Sequence, residues 1–279
     1  MPTQGEIRAA MESAGLKEIE GNHFTQLNAD EGFCKGACLD WVRRVLQGRV
    51  VFGYERTGNA KGQKREAQMR EVHAILSGRV FAEVTAMDAE MEQRTHDLAA
   101  RGRAIPGMTG AAQDEAYAAY EDDAAQLNAD LRAYGERAAM GPLAAGWSRV
   151  SQQLDARAAA TRQKSPSTMA RSFANITPTS GSADKDLGTP DRVLAAIGKV
   201  VRELASGSAS MFMFKPASHV GHAIGIARAQ LITALFDPSY GMYFGPTVEP
   251  ALKGFTYLLN TVYPGSSHLE FTVFVKKQG

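Results

Sequence analysis

The spacing of apolar residues changes along the 279-residue chain and divides it into regions of different character. Up to about residue 62, short helical patterns alternate with irregular segments. Between residues 63 and 162, apolar residues recur at alternating steps of three and four, which is typical of long helices with narrow contact seams. From residue 208 onward the period falls to two, which indicates strands. Helices followed by an antiparallel sheet predict an α+β fold.

The middle region is predicted to be a helical subdomain inserted into the rest of the chain. Its clearest seam consists of Tyr117, Tyr120, Ala124, Leu127, Leu131 and Tyr134. A helical hairpin or small bundle is the expected structure, and a docking arm for a substrate or a chaperone is the alternative. Residues 163–189, rich in Ser, Thr, Pro and Gly, are expected to form a linker or mobile loop. The predicted division is 1–62 and 163–279 for the core and 63–162 for the insertion.

One apolar stripe near the start of the chain places a cysteine at the beginning of a helix. The stripe consists of Cys34, Ala37, Cys38, Trp41, Val42, Val45 and Leu46, and off it lie Lys35, Asp40, Arg43, Arg44 and Gln47. Gly48 stands where a helix-ending glycine is common. A thiol in the first turn faces the positive end of the helix dipole and unpaired backbone N–H groups. Both favour the thiolate, which is the nucleophilic form.

Two cysteines compete for the role of nucleophile. Cys34 has the position at the helix start, although a second buried thiol is the alternative interpretation of this residue. Cys38 lies one turn further into the helix and is expected to be a small buried hydrophobic residue. The assignment of Cys34 therefore depends on finding a base.

A histidine and an aspartate fall at matching positions of two neighbouring predicted strands. Residues 222–228 and 231–237 are predicted to form a hairpin that turns at residues 229–230. In this register His222 lies directly opposite Asp237 and on the same face of the sheet. A carboxylate there would accept a hydrogen bond from the imidazole and fix its tautomer and orientation.

Each member of this pair also has a structural interpretation. A histidine that enters an apolar strand is often a core residue, and an aspartate that precedes a proline often begins a turn. Their matched positions favour a functional pair over these readings. His219 is the rival base, but it lies three residues earlier and would point to the opposite face of an extended strand.

Together the three residues supply a nucleophile, a base and an orienting acid, in the chain order Cys34, His222, Asp237. The backbone N–H of Cys34 and one upstream side chain would form the oxyanion hole. Asn28 is the first choice for this second donor and Gln26 the second.

The residues around these positions resemble the motifs of the YopT/AvrPphB-type effector cysteine proteases. The resemblance is carried by Gly-Phe-Cys-x-Gly-x-x-x-x-Trp at 32–41, Gly-His-Ala-Ile-Gly at 221–225 and Phe-Asp-Pro-Ser-Tyr-Gly at 236–241. It implies a papain-like thiol protease with Cys34 as nucleophile, His222 as base and Asp237 as orienter. Gly221 and Gly241 would frame the site. The helical region has no counterpart in these motifs.

The net charge and the missing motifs argue against several other classes of protein. The net charge of +1, from 31 basic and 30 acidic residues, gives no field that would attract nucleic acid or an anionic membrane. Zinc-type Cys/His spacing, a glycine-rich phosphate loop and a nucleotide fingerprint are all missing, so no metal or cofactor is expected. No apolar run is long enough for a transmembrane helix, and no signal peptide is evident.

The leading hypothesis is a cysteine endopeptidase of papain-like fold, with N-terminal helices, a C-terminal antiparallel sheet and an inserted helical subdomain. The family resemblance implies a bacterial effector or toxin that cleaves a host or target protein, with a secretion chaperone as a further partner. The expected location is the bacterial cytoplasm before export and then the target-cell cytosol. Two alternatives stay open. One is another acyl transfer by the same triad (a deamidase, transglutaminase or acetyltransferase), and the other is a non-enzymatic interaction protein.

Overall fold

A seven-stranded antiparallel sheet organises the chain, as a computed structural model shows for residues 2–19, 34–48, 69–70, 72–73, 80–152, 175–217 and 221–277. The helices are α1 Gln4–Ser13, α2 Cys34–Leu46, α3 Val80–Ala104, α4 Ala111–Ala139, α5 Pro142–Ala145, α6 Pro190–Glu203 and α7 Val248–Tyr257. The strands are β1 Lys17–Ile19, β2 Ile176–Asp186, β3 Ser208–Phe214, β4 His222–Arg228, β5 Thr233–Asp237, β6 Gly241–Gly245 and β7 His268–Lys276. The mixed α+β class that the sequence predicted is confirmed.

Helices cover both faces of the sheet, whose strand order is β1-β6-β5-β4-β3-β7-β2. On one face α2 packs Cys38 and Trp41 against side chains such as Met211. On the other face lie α1, α6 and α7, which contribute residues such as Ile197 and Phe255 to a second apolar cluster. Every residue of β3 is buried, as expected for a central strand that is covered on both sides.

Helix α2 begins at Cys34, and Gly48 follows it with a φ of +69°, the left-handed conformation typical of a glycine that ends a helix. Burial extends beyond the predicted stripe. Asp40 and Arg43, which lie off the stripe, are only 4% and 1% exposed and form an ion pair with each other. Pairing allows these charged side chains to be buried, and a stripe of apolar residues does not reveal it.

Helices α3 and α4 form a hairpin, with a 3₁₀ turn at Ile105–Gly107 between them. Leu127 is buried in the contact, as the seam predicted. Two other seam residues, Tyr117 and Leu131, are 46% and 36% exposed. The neighbours of α4 in the described part of the chain cover only part of its surface, so part of the predicted seam faces solvent. No helix in the described part of the chain is both long and apolar enough to cross a bilayer.

The segment after the hairpin packs into the core. Leu143, Trp147 and Val150 join the apolar cluster that α2 forms on the sheet. The indole N–H of Trp147 donates to the carbonyl of Ile176 at 3.0 Å, which ties this segment to β2. Both boundaries of the predicted insertion, at residues 62–63 and 162–163, lie outside the described residues, so the division into domains stays a prediction.

Residues 176–186 form a strand where the sequence indicated a loop. The sequence indicated a linker or mobile loop over residues 163–189, but 176–186 form the edge strand β2, which pairs with β7. The register shifts near Pro178 and again after Ser182, and such bulges are where strands accommodate proline and glycine. Composition signalled a loop because it does not reveal a pairing partner far along the chain. Residues 163–174 lie outside the described residues.

Candidate active site

The three candidate catalytic residues meet at the end of the sheet where β4 begins and β5 ends. Cys34 is the first residue of α2, His222 the first of β4 and Asp237 the last of β5. Their exposed fractions are 6%, 7% and 0%. Because water is largely excluded, charges and hydrogen bonds among these groups act more strongly than they would at the surface.

The register that brings the histidine to the aspartate differs from the predicted one. Residues 229–232 form a four-residue loop, closed by a 2.9 Å hydrogen bond from the Ala229 N–H to the Ile232 carbonyl. Pairing continues from Arg228 with Thr233, so the prediction that His222 lies directly opposite Asp237 is wrong by two residues. Ala-Gln lacks the turn residues of a two-residue hairpin, which explains the longer loop.

The error of two residues leaves the side chains on the correct face. Because side chains alternate along a strand, a shift of two keeps His222 and Asp237 on the same side of the sheet. They become diagonal neighbours, a separation that long side chains bridge. His222 Nε2 lies 3.1 Å from Asp237 Oδ1.

The turn after β5 explains the Asp-Pro-x-x-Gly spacing. The Tyr240 N–H donates to the Asp237 carbonyl at 3.1 Å, with Pro238 at the second position of the turn. The Ser239 N–H donates to Asp237 Oδ1 at 2.8 Å. Gly241 has a φ of +113°, which favours glycine. Asp237 therefore begins a turn and also contacts the histidine, so the two interpretations of this residue are compatible.

A fourth side chain of the site was not found from the sequence. Tyr263 follows the π-helical turn Leu258–Val262 and is 5% exposed. Its hydroxyl donates to Asp237 Oδ2 at 2.9 Å and lies 2.8 Å from His222 Nε2. No spacing rule connects Tyr263 to a histidine 41 residues earlier, and a tyrosine before Pro-Gly is typical of a loop.

The partners of His222 determine which ring nitrogen carries the hydrogen. The Tyr263 hydroxyl gives its hydrogen to Asp237, so both groups near Nε2 are acceptors and Nε2 must donate. Nδ1 is then the nitrogen that can exchange a proton with Cys34, the thiol whose pKa is lowered by its interaction with His222. This tautomer suits a general base next to a thiol.

Local charges shift the pKa values of the thiol and the imidazole in opposite directions. Burial opposes thiolate formation, but the hydrogen bond and charge of His222, with backbone hydrogen bonds at Ala223 and Lys35, lower the pKa of Cys34. Burial likewise opposes the imidazolium, but the charge and hydrogen bond of Asp237, reinforced by Cys34, raise the pKa of His222. Both shifts favour a thiolate–imidazolium pair.

Cys38 has the opposite chemistry. Burial, together with negative charge at Cys34 and Asp237, raises the pKa of its thiol well above the ordinary value. The thiol donates to the carbonyl of Ala223 at 3.2 Å. Cys38 is therefore a protonated, buried side chain, as its place in the helix predicted.

A close contact between two motif residues sets the distance between α2 and β4. A Cβ atom added to Gly225 would lie 2.6 Å from the ring of Trp41. The indole also stacks on Phe236, with ring centroids 5.3 Å apart and planes 10° apart. Gly225 therefore allows the helix to approach the sheet, and this approach brings Cys34 to the start of β4.

Some of the residues proposed from the sequence cannot be placed. Asn28, Gln26 and the rival base His219 lie outside the described residues. Within the described ranges, no group of three or more His, Cys, Asp or Glu side chains could hold a metal ion.

Comparison with known proteins finds distant structural similarity and no match in sequence. No protein-family model and no curated protein sequence matches the chain. Among solved structures, the chain is similar to the Pseudomonas avirulence protein AvrPphB, with 16% sequence identity and a TM-score of 0.30. The match covers 48% of this chain and 74% of AvrPphB. A likeness this distant does not assign an activity, so a function has to follow from the residues of the site.

Proposed function

We propose that the chain is a cysteine endopeptidase of the papain-like type. The observation that carries the proposal is one connected group of buried side chains. Cys34 at the start of α2 interacts with His222, whose Nε2 lies 3.1 Å from Asp237 Oδ1. A thiol with a lowered pKa, next to an imidazole with a raised one, is the arrangement that nucleophilic catalysis by cysteine requires.

In the first half of the proposed reaction, the Cys34 thiolate attacks a peptide carbonyl carbon and a C–S bond forms. The carbonyl oxygen takes the negative charge and accepts a hydrogen bond from the backbone N–H of Cys34 at the helix start. Asn28, or Gln26 in its place, supplies the second donor. The imidazolium of His222 then gives the Nδ1 proton to the leaving nitrogen, the C–N bond breaks and a thioester remains.

In the second half, water hydrolyses the thioester. His222, now neutral, takes a proton from the water as it attacks, and the C–S bond breaks to return the thiolate. Asp237 keeps the Nε2 hydrogen in place throughout, so Nδ1 faces the reacting atoms in both halves.

The motif resemblance extends this proposal to the biological setting. A bacterial effector of this kind would act on a protein in the target-cell cytosol. The helical region 63–162 would contact that substrate or a secretion chaperone.

Labelling with an epoxide inhibitor of thiol proteases, followed by peptide mapping, tests the nucleophile. The label should appear on Cys34, and Cys34→Ala should abolish turnover while the melting temperature stays close to that of the wild type. Cys38→Ala is the matched control, which should keep its activity at a small cost in stability. A label on Cys38 alone would overturn the proposal.

The pH dependence of the reaction provides a second test. Because the pKa of Cys34 is lowered and that of His222 is raised, the ion pair should persist across neutral pH. Turnover should fall on the acid side when the thiolate gains a proton. It should fall on the alkaline side when the imidazolium loses the proton needed by the leaving amine. A profile that rises only near the pKa of an ordinary thiol would contradict this assignment.

The identity of the product separates the peptidase from the alternatives. A new N-terminus in a cleaved substrate supports the endopeptidase, whereas released ammonia would indicate a deamidase or transglutaminase. An unreactive Cys34 would favour an interaction protein whose working part is the helical region.

A further inference from the structure

Tyr263 is held rigidly behind the His222–Asp237 pair. Its N–H donates to the Leu258 carbonyl at 2.9 Å, and its own carbonyl accepts the Ser266 hydroxyl at 2.9 Å. The Ala217 N–H donates to the next carbonyl, that of Pro264, at 3.2 Å. The backbone around Tyr263 is thus fixed on both sides, so the position of its phenol ring does not depend on a mobile loop.

The hydroxyl of Tyr263 completes the partners of a fully buried carboxylate. Asp237 Oδ1 is contacted by the Ser239 N–H at 2.8 Å and by His222 Nε2 at 3.1 Å. Among the described residues, Tyr263 is the hydrogen-bond donor to Oδ2. A buried carboxylate oxygen without a donor is costly, and donors on both oxygens oppose rotation about the Cβ–Cγ bond.

The ring of Tyr263 also restricts the imidazole. It stacks on His222 with centroids 4.3 Å apart and planes 25° apart, while Phe214 meets the imidazole edge-on at 5.7 Å. Burial, reinforced by the negative charge of Asp237, raises the pKa of the Tyr263 phenol well above its ordinary value. The hydroxyl therefore remains a neutral donor throughout the pH range in which the thiol and imidazole titrate.

We propose that Tyr263 is a positioning residue of the peptidase, whose hydroxyl keeps the Asp237 carboxylate turned toward His222. This inference rests on the proposed function. Without the hydroxyl, Oδ2 loses its donor and the carboxylate is free to rotate away from Nε2. The imidazolium then loses support, gives up its proton more readily and leaves more of Cys34 as the unreactive thiol.

The variant Tyr263→Phe tests this role because it keeps the ring and removes only the hydroxyl. The rate of Cys34 alkylation by iodoacetamide is measured across pH, together with kcat and KM. We expect kcat to fall roughly tenfold to a hundredfold, the range of a hydrogen bond to a charged group, with KM unchanged. The acid limb of the alkylation profile should move to higher pH.

Several ionisable groups besides Tyr263 surround Cys34 and His222. Cys34 from α2 and Asp237 from β5 act directly on His222. Cys38, Tyr240 and Tyr243 lie close enough to Asp237 for its negative charge to contribute to their raised pKa values. These groups are present in both the wild type and Tyr263→Phe, so a difference between the two profiles reports on the hydroxyl.

The control is Tyr243→Phe. This buried phenol donates to a backbone carbonyl, that of Tyr240, at 3.0 Å, so Tyr243→Phe also removes a buried hydrogen bond, but one that does not involve the carboxylate. It should leave the pH profile unchanged. Equal shifts of the acid limb in both variants would overturn the proposal, because the effect would then be one of general stability.

A double mutant tests whether the hydroxyl acts through the carboxylate. In the Asp237→Asn background, Tyr263→Phe should cause no further loss of alkylation rate. The same loss in both backgrounds would overturn the proposal. If wild-type Cys34 has the lowered pKa and Tyr263→Phe has the same alkylation profile as the wild type, the role of Tyr263 is overturned and the proposed function is not. A wild-type Cys34 with ordinary thiol reactivity would instead overturn the proposed function itself.

If Tyr263→Phe fails to fold, 3-fluorotyrosine at the same position preserves the test. Fluorination keeps the ring and hydroxyl but makes the phenol a stronger donor. The acid limb should then move to lower pH, and an unchanged limb would overturn the proposal.

Discussion

The sheet core and the α3–α4 hairpin are stabilised by different kinds of contact. In the core, apolar clusters cover both faces of the sheet, and the charged groups of the site lie buried among hydrogen-bonding partners. In the hairpin, Leu127 is the buried residue of α4, and polar contacts cross the two helices at the surface. These contacts include Arg94–Asp130, Arg101–Asp123 and Tyr134–Asp88.

Polar groups in the two regions differ in how freely they can change their hydrogen-bond partners. A buried polar group must be held in one arrangement, because a lost partner cannot be replaced by water. An exposed pair can exchange its partner for water at little cost. Substitutions of the buried polar groups of the site should therefore reduce turnover, whereas substitutions in the hairpin should change local stability and leave the chemistry intact.

The largest effect is expected for Asp237→Asn. The amide keeps the size of the side chain but no longer favours the tautomer with hydrogen on Nε2, so turnover should fall by roughly 10²–10⁴. The measurement is kcat/KM alongside the melting temperature. Asp123→Asn in the hairpin is the control, since this carboxylate pairs at the surface with Arg101 and should not affect turnover. Full activity of Asp237→Asn would remove the residue from the site.

A charge introduced into the hairpin should lower its stability without changing turnover. Leu127→Asp places a charge in the helix contact and should weaken the hairpin by at least about 2 kcal/mol. Hydrogen exchange followed by mass spectrometry should show loss of protection over residues 80–139 and none over β3 to β7. Leu131→Asp, at a position that is 36% exposed, is the control and should have little effect. Loss of protection throughout the sheet would show that the two regions unfold together.

The sequence predicted the elements whose signals are local. The apolar stripe of α2 predicted a helix that begins at Cys34. Thr189 followed by Pro190 is a local signal of the same kind, and α6 begins at Pro190. Thr189 indeed accepts the N–H of Arg192 at its side chain. Such signals lie within one or two turns of the chain, where propensity and capping determine the structure.

The relations between distant segments were harder to predict. β2 was missed because its partner β7 lies far along the chain, and Tyr263 because only the tertiary fold brings it to His222. The hairpin register was wrong by two residues, yet the His222–Asp237 contact survived because strand periodicity preserves the face. The alternation of side chains along the strands was sufficient to predict the contact. The loop length, which determines the residue pairing, could not be predicted in this way.

Alanine substitutions at two glycines, one in each region, are expected to change the stability of the protein in opposite directions. Gly225→Ala would push a methyl group into the ring of Trp41 and should destabilise the protein by about 1–3 kcal/mol, with reduced turnover. Gly135→Ala lies within α4 with open space around it and should stabilise the protein by about 0.5–1 kcal/mol. Denaturant unfolding of both variants measures the two effects. A loss of stability in Gly135→Ala would show that α4 has a partner at this position.

The smallest effect is expected for Arg94→Gln, which removes the ion pair between α3 and Asp130. The two side chains meet at 2.8 Å but both are partly exposed, so their attraction competes with water. The melting temperature should fall only slightly at low salt. The difference from the wild type should vanish at about 1 M salt, where the Debye length is about 3 Å. Turnover should not change at either salt concentration. A large loss that persists in high salt would mean that the hairpin depends on this pair as the core depends on its buried groups, and the contrast between the two regions would fail.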